Sequence, residues 1–168
     1  MKRIAITGPE STGKSTLAQQ LAAHYNALWV PEFARQYIAE LNQAYTLTDL
    51  VNIARGQLAL QKQTEAQKPE ILFADTELLV LKIWSENAFG VCPDWILKEL
   101  QNQRFDLYLL MDIDLTWEPD PQREHPHLRQ YFFDLYKAEL ERLQFPFQVI
   151  SGTDDERLQA ALEVINQI

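Results

Sequence analysis

The most specific chemistry in the chain lies in Thr7-Gly8-Pro9-Glu10-Ser11-Thr12-Gly13-Lys14-Ser15-Thr16, where Gly-x-x-x-x-Gly-Lys-Ser follows the apolar run Ile4-Ala5-Ile6 and helical spacing begins directly after it. Gly8 and Gly13 let the backbone turn tightly and present successive N–H groups to phosphate oxygens, with no Cβ in the way. The N-terminus of the following helix adds its partial positive charge at the same place. In that setting Lys14 can reach the β- and γ-phosphates and the Ser15 hydroxyl can ligate Mg²⁺. Four such residues at this spacing would arise by chance in roughly 1% or fewer of chains of this length. The stretch therefore reads as a P-loop for ATP with Mg²⁺, and Glu10, Ser11, Thr12 and Thr16 complete the cradle.

Asp75 is the second chemical signal, because it ends the fully apolar run Ile71-Leu72-Phe73-Ala74. A carboxylate there is costly unless it is paired, hydrated or linked to a metal. Beside a P-loop it could orient Mg²⁺ through water or accept the proton of an attacking hydroxyl; alternatively it could cap the helix that begins near Glu77. Glu32 and Arg35 are three apart and share a helix face. They form either a surface ion pair or a substrate contact, Glu32 to sugar hydroxyls and Arg35 to the substrate or a phosphate.

A third cluster occupies residues 112–129, a Pro- and charge-rich stretch holding Trp117, Asp120, Arg123, His125, His127 and Arg129. It is a polar surface loop or a lid that closes over ATP and excludes water. As a lid it would bring Arg123 and Arg129 to the transferring phosphoryl group. Trp117 and Asp120 would then meet the substrate. The two histidines are read as solvated, and Asp112 and Asp114 as loop starters rather than a metal pair. Trp84 follows Leu78 and Leu81 at helical spacing and is assigned to the core.

Apolar runs alternate with helical patterns along the whole chain. Strands are expected at Arg3–Ile6, Ala27–Val30, Ile71–Ala74, Leu107–Met111 and Phe147–Ile150. A long helix should open at Thr48-Asp49 and run to about Gln67, another from Glu77 to about Asn87, and a third from Pro93-Asp94 to Gln103. Thr153-Asp154-Asp155-Glu156 reads as a capping box for the last helix. This alternation predicts an α/β three-layer P-loop NTPase with a five-stranded parallel sheet, one domain over residues 1–168, and the lid between strands four and five. In such folds ligands bind at the carboxyl ends of the strands, which is where Glu32, Arg35 and Asp75 fall.

A formal net charge of −9 with no basic stretch argues against a general nucleic-acid surface, though not against ATP. The single cysteine, Cys92, excludes an intrachain disulfide and a cysteine-based zinc site. No apolar run is long enough to span a membrane, and the N-terminal one is too short for a signal peptide, so a cytoplasmic location is expected.

With these residues assembled, the chain resembles the ribosylnicotinamide kinase domain of bacterial NadR-type proteins. The resemblance rests on the P-loop, Pro31-Glu32-Phe33-Ala34-Arg35, Phe73-Ala74-Asp75-Thr76-Glu77, and the lid segment Leu115-Thr116-Trp117-Glu118-Pro119-Asp120-Pro121-Gln122-Arg123, in the family's order. It implies ATP-dependent phosphorylation of the 5′-hydroxyl of nicotinamide riboside to nicotinamide mononucleotide. It also implies phosphate and Mg²⁺ held by Lys14 and Ser15, catalytic carboxylates at Asp75 and Glu32, and lid roles for Arg123 and Arg129. Pro121 stands where that family's lid usually has glycine. NadR-type proteins carry an adenylyltransferase domain before the kinase; this sequence begins at the first strand, so that second activity is expected to be absent. Another nucleoside or nucleotide kinase on the same fold, and a nucleotide-sensing regulatory ATPase, are the competing readings.

Overall fold

A computed structural model describes residues 1–168. Its elements run β1 (Lys2–Thr7), α1 (Lys14–Tyr25), β2 (Leu28–Val30), α2 (Phe33–Glu40), α3 (Leu47–Glu65), β3 (Ile71–Asp75), α4 (Leu78–Phe89), α5 (Asp94–Asn102), β4 (Leu107–Met111), α6 (Arg129–Arg142), β5 (Phe147–Ile150) and α7 (Asp154–Ile165). The five strands form one all-parallel sheet in the order β2-β3-β1-β4-β5. The strand carrying the P-loop is central. Its neighbours place Asp75 and Met111 at the same end of the sheet, since Ile6 pairs with Asp75 and Thr7 with Leu110.

Burial on both faces explains the unbroken apolar runs of the central strands. Side chains alternate across the sheet. Ala5, Leu72, Ala74, Tyr108 and Leu110 point to a core covered by α3, α4, α5 and α6. Ile4, Ile6, Phe73, Leu109 and Met111 point to the other core, under α1 and α7. Both layers hold the strand ends in place, and each fully buried Ile or Leu contributes roughly 1.5–3 kcal/mol. No helix is long and apolar enough to cross a membrane.

The ends of the helices refine the sequence expectations. α3 opens at Leu47, one residue before Thr48, because Thr46 is its N-cap; the Asp49 carboxylate accepts from the Thr46 N–H at 2.7 Å and completes a capping box. α4 is capped by Glu77, whose Oε2 accepts the Leu79 N–H at 2.6 Å. Asp75 therefore does not cap this helix. The box expected at α7 is present, with Glu156 accepting from the Thr153 N–H at 3.3 Å. Residues 112–128 form neither helix nor strand and fold back over the P-loop.

Candidate active site

One cleft of ≈ 1060 Å³ opens at the carboxyl ends of the strands. The P-loop forms its floor. On the β4–β5 side it is lined by Asp114, Leu115, Thr153, Asp154 and Arg157, and on the β2–β3 side by Glu32, Arg35, Asp75, Tyr45 and Trp84. The lid, residues 112–128, roofs the middle.

The loop's own geometry follows from its glycines. Gly8 has φ +130°, and an added Cβ would lie 3.1 Å from the Met111 carbonyl oxygen, so neither conformation nor space admits a side chain. Thr12 Oγ1 donates to the Pro9 carbonyl at 2.8 Å and closes the loop on itself. Lys14 Nζ donates to the Gly8 and Pro9 carbonyls at 3.0 and 2.7 Å, folded along the rim its phosphates would occupy. Burial lowers the Lys14 pKa, while Glu32, Asp75 and Glu10 oppose that fall. The first helical N–H groups of α1 have no side-chain cap, which leaves them free for an anion.

The lid is latched to this loop. Glu10 Oε2 accepts the N–H groups of Glu124 and His125 at 3.1 and 3.2 Å. Ser11 Oγ accepts the Glu118 N–H at 2.9 Å and Arg123 Nη1 at 3.3 Å. Arg129 donates to the Ser11 carbonyl at 3.3 Å and the Leu115 carbonyl at 2.8 Å. Thus Arg123 lies at the phosphate site, whereas Arg129 sits behind the P-loop with its guanidinium 5.9 Å from the Trp117 ring. Neither Trp117 nor Arg129 lines the cleft. Asp120 is also outside it, paired with Arg35 at 3.0 Å, and this ion pair fastens the lid to α2.

Asp75 is 1% exposed, and its Oδ1 has no hydrogen-bond partner. Burial raises its pKa to about 6, opposed by a hydrogen bond from the Ser15 side chain; Glu32 pushes the same way as burial, and Lys14 and Arg35 against it. A carboxylate poised near neutrality with a free oxygen facing a phosphate loop can accept a proton or a cation. Glu32 lies 3.8 Å from Arg35, so that pair is weak and Glu32 is available to a ligand.

Mg²⁺, which P-loop chemistry uses, fits these residues: the orphaned Asp75 oxygen and the adjacent Ser15 hydroxyl are hard oxygen donors at the loop. No cluster of three or more His, Cys, Asp or Glu is present to hold a metal by itself.

Four contributors escaped the sequence reading. Gln57 of α3 is buried; its Oε1 accepts the Phe33 N–H at 2.8 Å, and its Nε2 reaches the Pro31 and Thr76 carbonyls at 3.3 Å. It thereby fixes the Glu32 turn against the Asp75 turn. Beside it Gly56 has no side chain because the Phe33 ring would lie 2.2 Å from a Cβ. Tyr45 stands edge-on to Trp84 at 5.1 Å, and together with Phe132 and Tyr136 they form an aromatic wall of the cleft. Trp84 is thus a cavity wall as well as a core residue, whereas Trp117 does not line the cleft. Arg157, reaching in from α7, is 4% exposed and touches the P-loop itself. Its only signal was a buried-facing position in a helix read solely for its cap.

An uncapped P-loop helix in a 2-3-1-4-5 parallel sheet, with a carboxylate ending the neighbouring strand, defines a P-loop nucleotide-binding protein. The chain belongs to the AAA domain family, whose model matches residues 3–157. It is 25% identical over 175 aligned residues to the Escherichia coli (strain K12) "Trifunctional NAD biosynthesis/regulator protein NadR", covering 100% of this chain and 43% of that protein. The chain thus spans less than half the length of that relative. Among solved structures it is similar to NadR protein in complex with NR, with a TM-score of 0.77, 22% identity, and coverage of 99% of this chain and 51% of that one. It is also similar to deoxyadenosine kinase from M. mycoides with dCMP and dCDP, with a TM-score of 0.67, 15% identity, and coverage of 99% and 100%.

Proposed function

We propose that the chain is an ATP-dependent kinase that phosphorylates the 5′-hydroxyl of a nucleoside, with nicotinamide riboside as the acceptor. The observation that carries the reading is the buried Asp75 carboxylate, one oxygen unpartnered, between the P-loop and an aromatic chamber. A pure nucleotide sensor has no use for that aromatic end of the cleft. The reading also draws support from the NadR relative and from the kinases that share this fold.

The acceptor's 5′-oxygen attacks the γ-phosphorus in line, its proton passes to Asp75, and the bond to the β,γ-bridging oxygen breaks to release ADP. With a pKa near 6, Asp75 is ionised at neutral pH yet basic enough to take the proton. Lys14 leaves the Gly8 and Pro9 carbonyls for the phosphates, and Arg123 exchanges the Ser11 hydroxyl for developing negative charge. Ser15 would hold Mg²⁺, with Asp75 orienting the ion through water, and the ion would neutralise phosphate charge. Glu32 binds the ribose hydroxyls and is held in place by Gln57. The lid keeps water from the phosphoryl group through the Glu10 and Ser11 latches.

Acceptor choice follows from the chamber. Tyr45, Trp84, Phe132 and Tyr136 present aromatic surface, while Glu10, Glu32 and Glu124 rim it with negative charge. A cationic pyridinium ring gains from both, by aromatic contact and by cation–π attraction of about 0.5–2 kcal/mol. A neutral purine gains from the first alone.

The test is ADP release from Mg-ATP against a panel of nicotinamide riboside, ribonucleosides, deoxynucleosides and monophosphates. Strong stimulation by nicotinamide riboside is expected. Stimulation by a deoxynucleoside alone would keep the mechanism and replace the acceptor. A slow basal rate unchanged by every acceptor would favour a regulatory ATPase.

A further inference from the structure

We propose that Arg157 is a positioning residue for the nucleotide: it sets the phosphate-facing orientation of the P-loop and locks that loop to the two loops that follow β4 and β5. The inference rests on the ATP-binding half of the reading above and is independent of the acceptor.

One guanidinium joins three adjacent strand ends. Nη1 donates to the Thr12 carbonyl of the P-loop, Nε to the Gly152 carbonyl after β5 at 2.9 Å, and Nη2 to the Asp114 carboxylate and, at 3.4 Å, to the Asp112 carbonyl after β4. The two outer loops are also tied to each other, Ser151 Oγ donating to Asp112 Oδ2 at 2.7 Å and the Gly152 N–H to Asp114 Oδ2 at 2.5 Å. β1, β4 and β5 are consecutive in the sheet, so the clamp spans the whole nucleotide side of the cleft.

The bond to Thr12 matters for binding. A trans peptide is planar, so fixing the Thr12 carbonyl toward Arg157 turns the Gly13 N–H the opposite way. Gly13 is the N-cap of α1 at φ +78°, a residue with little intrinsic preference for this orientation. An added Cβ at Gly13 would meet Leu115 at 3.2 Å and Arg157 at 3.8 Å, so the guanidinium lies within van der Waals contact of this loop glycine. Burying a guanidinium is unfavourable unless its donors are satisfied. Here every nitrogen has a partner, and most partners are backbone carbonyls of functional loops rather than helix neighbours. Lysine could keep the charge, but its three donors share one nitrogen and cannot span the three loops that the guanidinium fork reaches.

Arg157→Met, Arg157→Lys and wild type are compared by calorimetric titration with Mg-AMP-PNP, by KM for ATP and for the acceptor, and by urea midpoint. Arg157→Met is expected to raise the AMP-PNP Kd and the ATP KM about tenfold or more, with the acceptor KM within about twofold. Arg157→Lys should fall between. Millimolar ethylguanidine should recover part of the nucleotide affinity of Arg157→Ala. If Arg157→Met does not fold, Asp114→Asn serves, since it removes the negative charge paired with the buried guanidinium at the cleft edge; it is expected to raise the Kd severalfold. A folded Arg157→Met with an unchanged Kd overturns the proposal. So does an equal rise in the ATP and acceptor KM values, the mark of a structural tie alone, or an Asp114→Asn Kd equal to wild type when that variant is the one measured. Failure of nicotinamide riboside as acceptor leaves the AMP-PNP comparison intact, so the two readings fail separately.

Discussion

Glu77 offers a test of the buried charge beneath the site. The residue is 0% exposed, accepts the Thr7 hydroxyl at 2.9 Å and the Leu79 N–H at 2.6 Å, and links the end of β1 to the start of α4. Burial raises its pKa from 4.5 to about 7, although both hydrogen bonds favour the charged form. Between pH 4.5 and about 7 the folded protein therefore keeps a proton that the unfolded chain has released. Stability from this group is fully present below 4.5 and is lost as pH climbs through 7, at 1.36 kcal/mol per pH unit, or about 3 kcal/mol in all. Glu77→Gln keeps one acceptor oxygen for the Leu79 N–H, turns its amide NH2 to the Thr7 hydroxyl oxygen, and cannot ionise. Urea unfolding of both proteins from about pH 4.5 to pH 8 should show the wild type losing about 3 kcal/mol more than the variant across this interval. Asp75, also raised, titrates in both proteins and cancels in the difference. Curves that stay parallel within about 0.5 kcal/mol refute the reasoning, because the charged form would then be as well accommodated as in water.

Two further substitutions follow from the site. Asp75→Asn should lower kcat by about 10²–10⁴-fold while changing the AMP-PNP Kd little, and wild-type kcat/KM should decline below about pH 6 as Asp75 takes a proton; an Asn variant as active as wild type assigns proton acceptance elsewhere, to Glu32 first. Gly56→Ala places a methyl 2.2 Å from the Phe33 ring and should cost about 1–3 kcal/mol by urea denaturation, outweighing the roughly 0.5–1 kcal/mol that alanine gains in a helix; a variant more stable than wild type would show that Phe33 moves freely.

The parts of the site written in contiguous sequence could be read directly. Lys14, Ser15 and the two loop glycines sit in fixed spacing, and Asp75 and Glu32 end apolar runs, so strand periodicity alone placed all of them at one edge of a parallel sheet. What could not be read depends on distance across the fold. Gln57 is one glutamine among several in a polar-rich helix, and only packing of α3 over β2 and β3 turns its amide toward the Pro31 and Thr76 carbonyls. The same holds for Trp84, which helical spacing sends to the core, yet the lid and Tyr45 leave part of its ring facing the cleft. Trp117 is the opposite case, lying outside the cleft. A tryptophan between charged residues in a lid looks free for a ligand, but Arg129 claims its face.

The cleft also shows how a chain of net charge −9 can host a polyanion. Lys14, Arg35, Arg123, Arg129 and Arg157 are five of its 15 cationic side chains, and all five belong to the cleft or its supports. Their present partners divide them by task. Arg35 and Arg157 are matched to carboxylates, Asp120 and Asp114, and those pairs fix the lid and the nucleotide loops. Arg129 is spread over two carbonyls and a Trp face, which suits a strut. Lys14 and Arg123 line the cleft itself and bond chiefly to neutral oxygens, those of Gly8 and Pro9, and of Ser11 and the Glu118 backbone, with the exposed Glu118 carboxylate 3.9 Å from Arg123; Arg129, also on neutral carbonyls, lies outside the cleft. Exchanging a neutral acceptor for a phosphate oxygen roughly doubles the strength of such a bond, whereas breaking a carboxylate pair would forfeit most of that gain. The nucleotide is therefore expected to recruit Lys14 and Arg123 and leave the other three in place, so closure over ATP requires two side chains to change partners rather than a rearrangement of the lid.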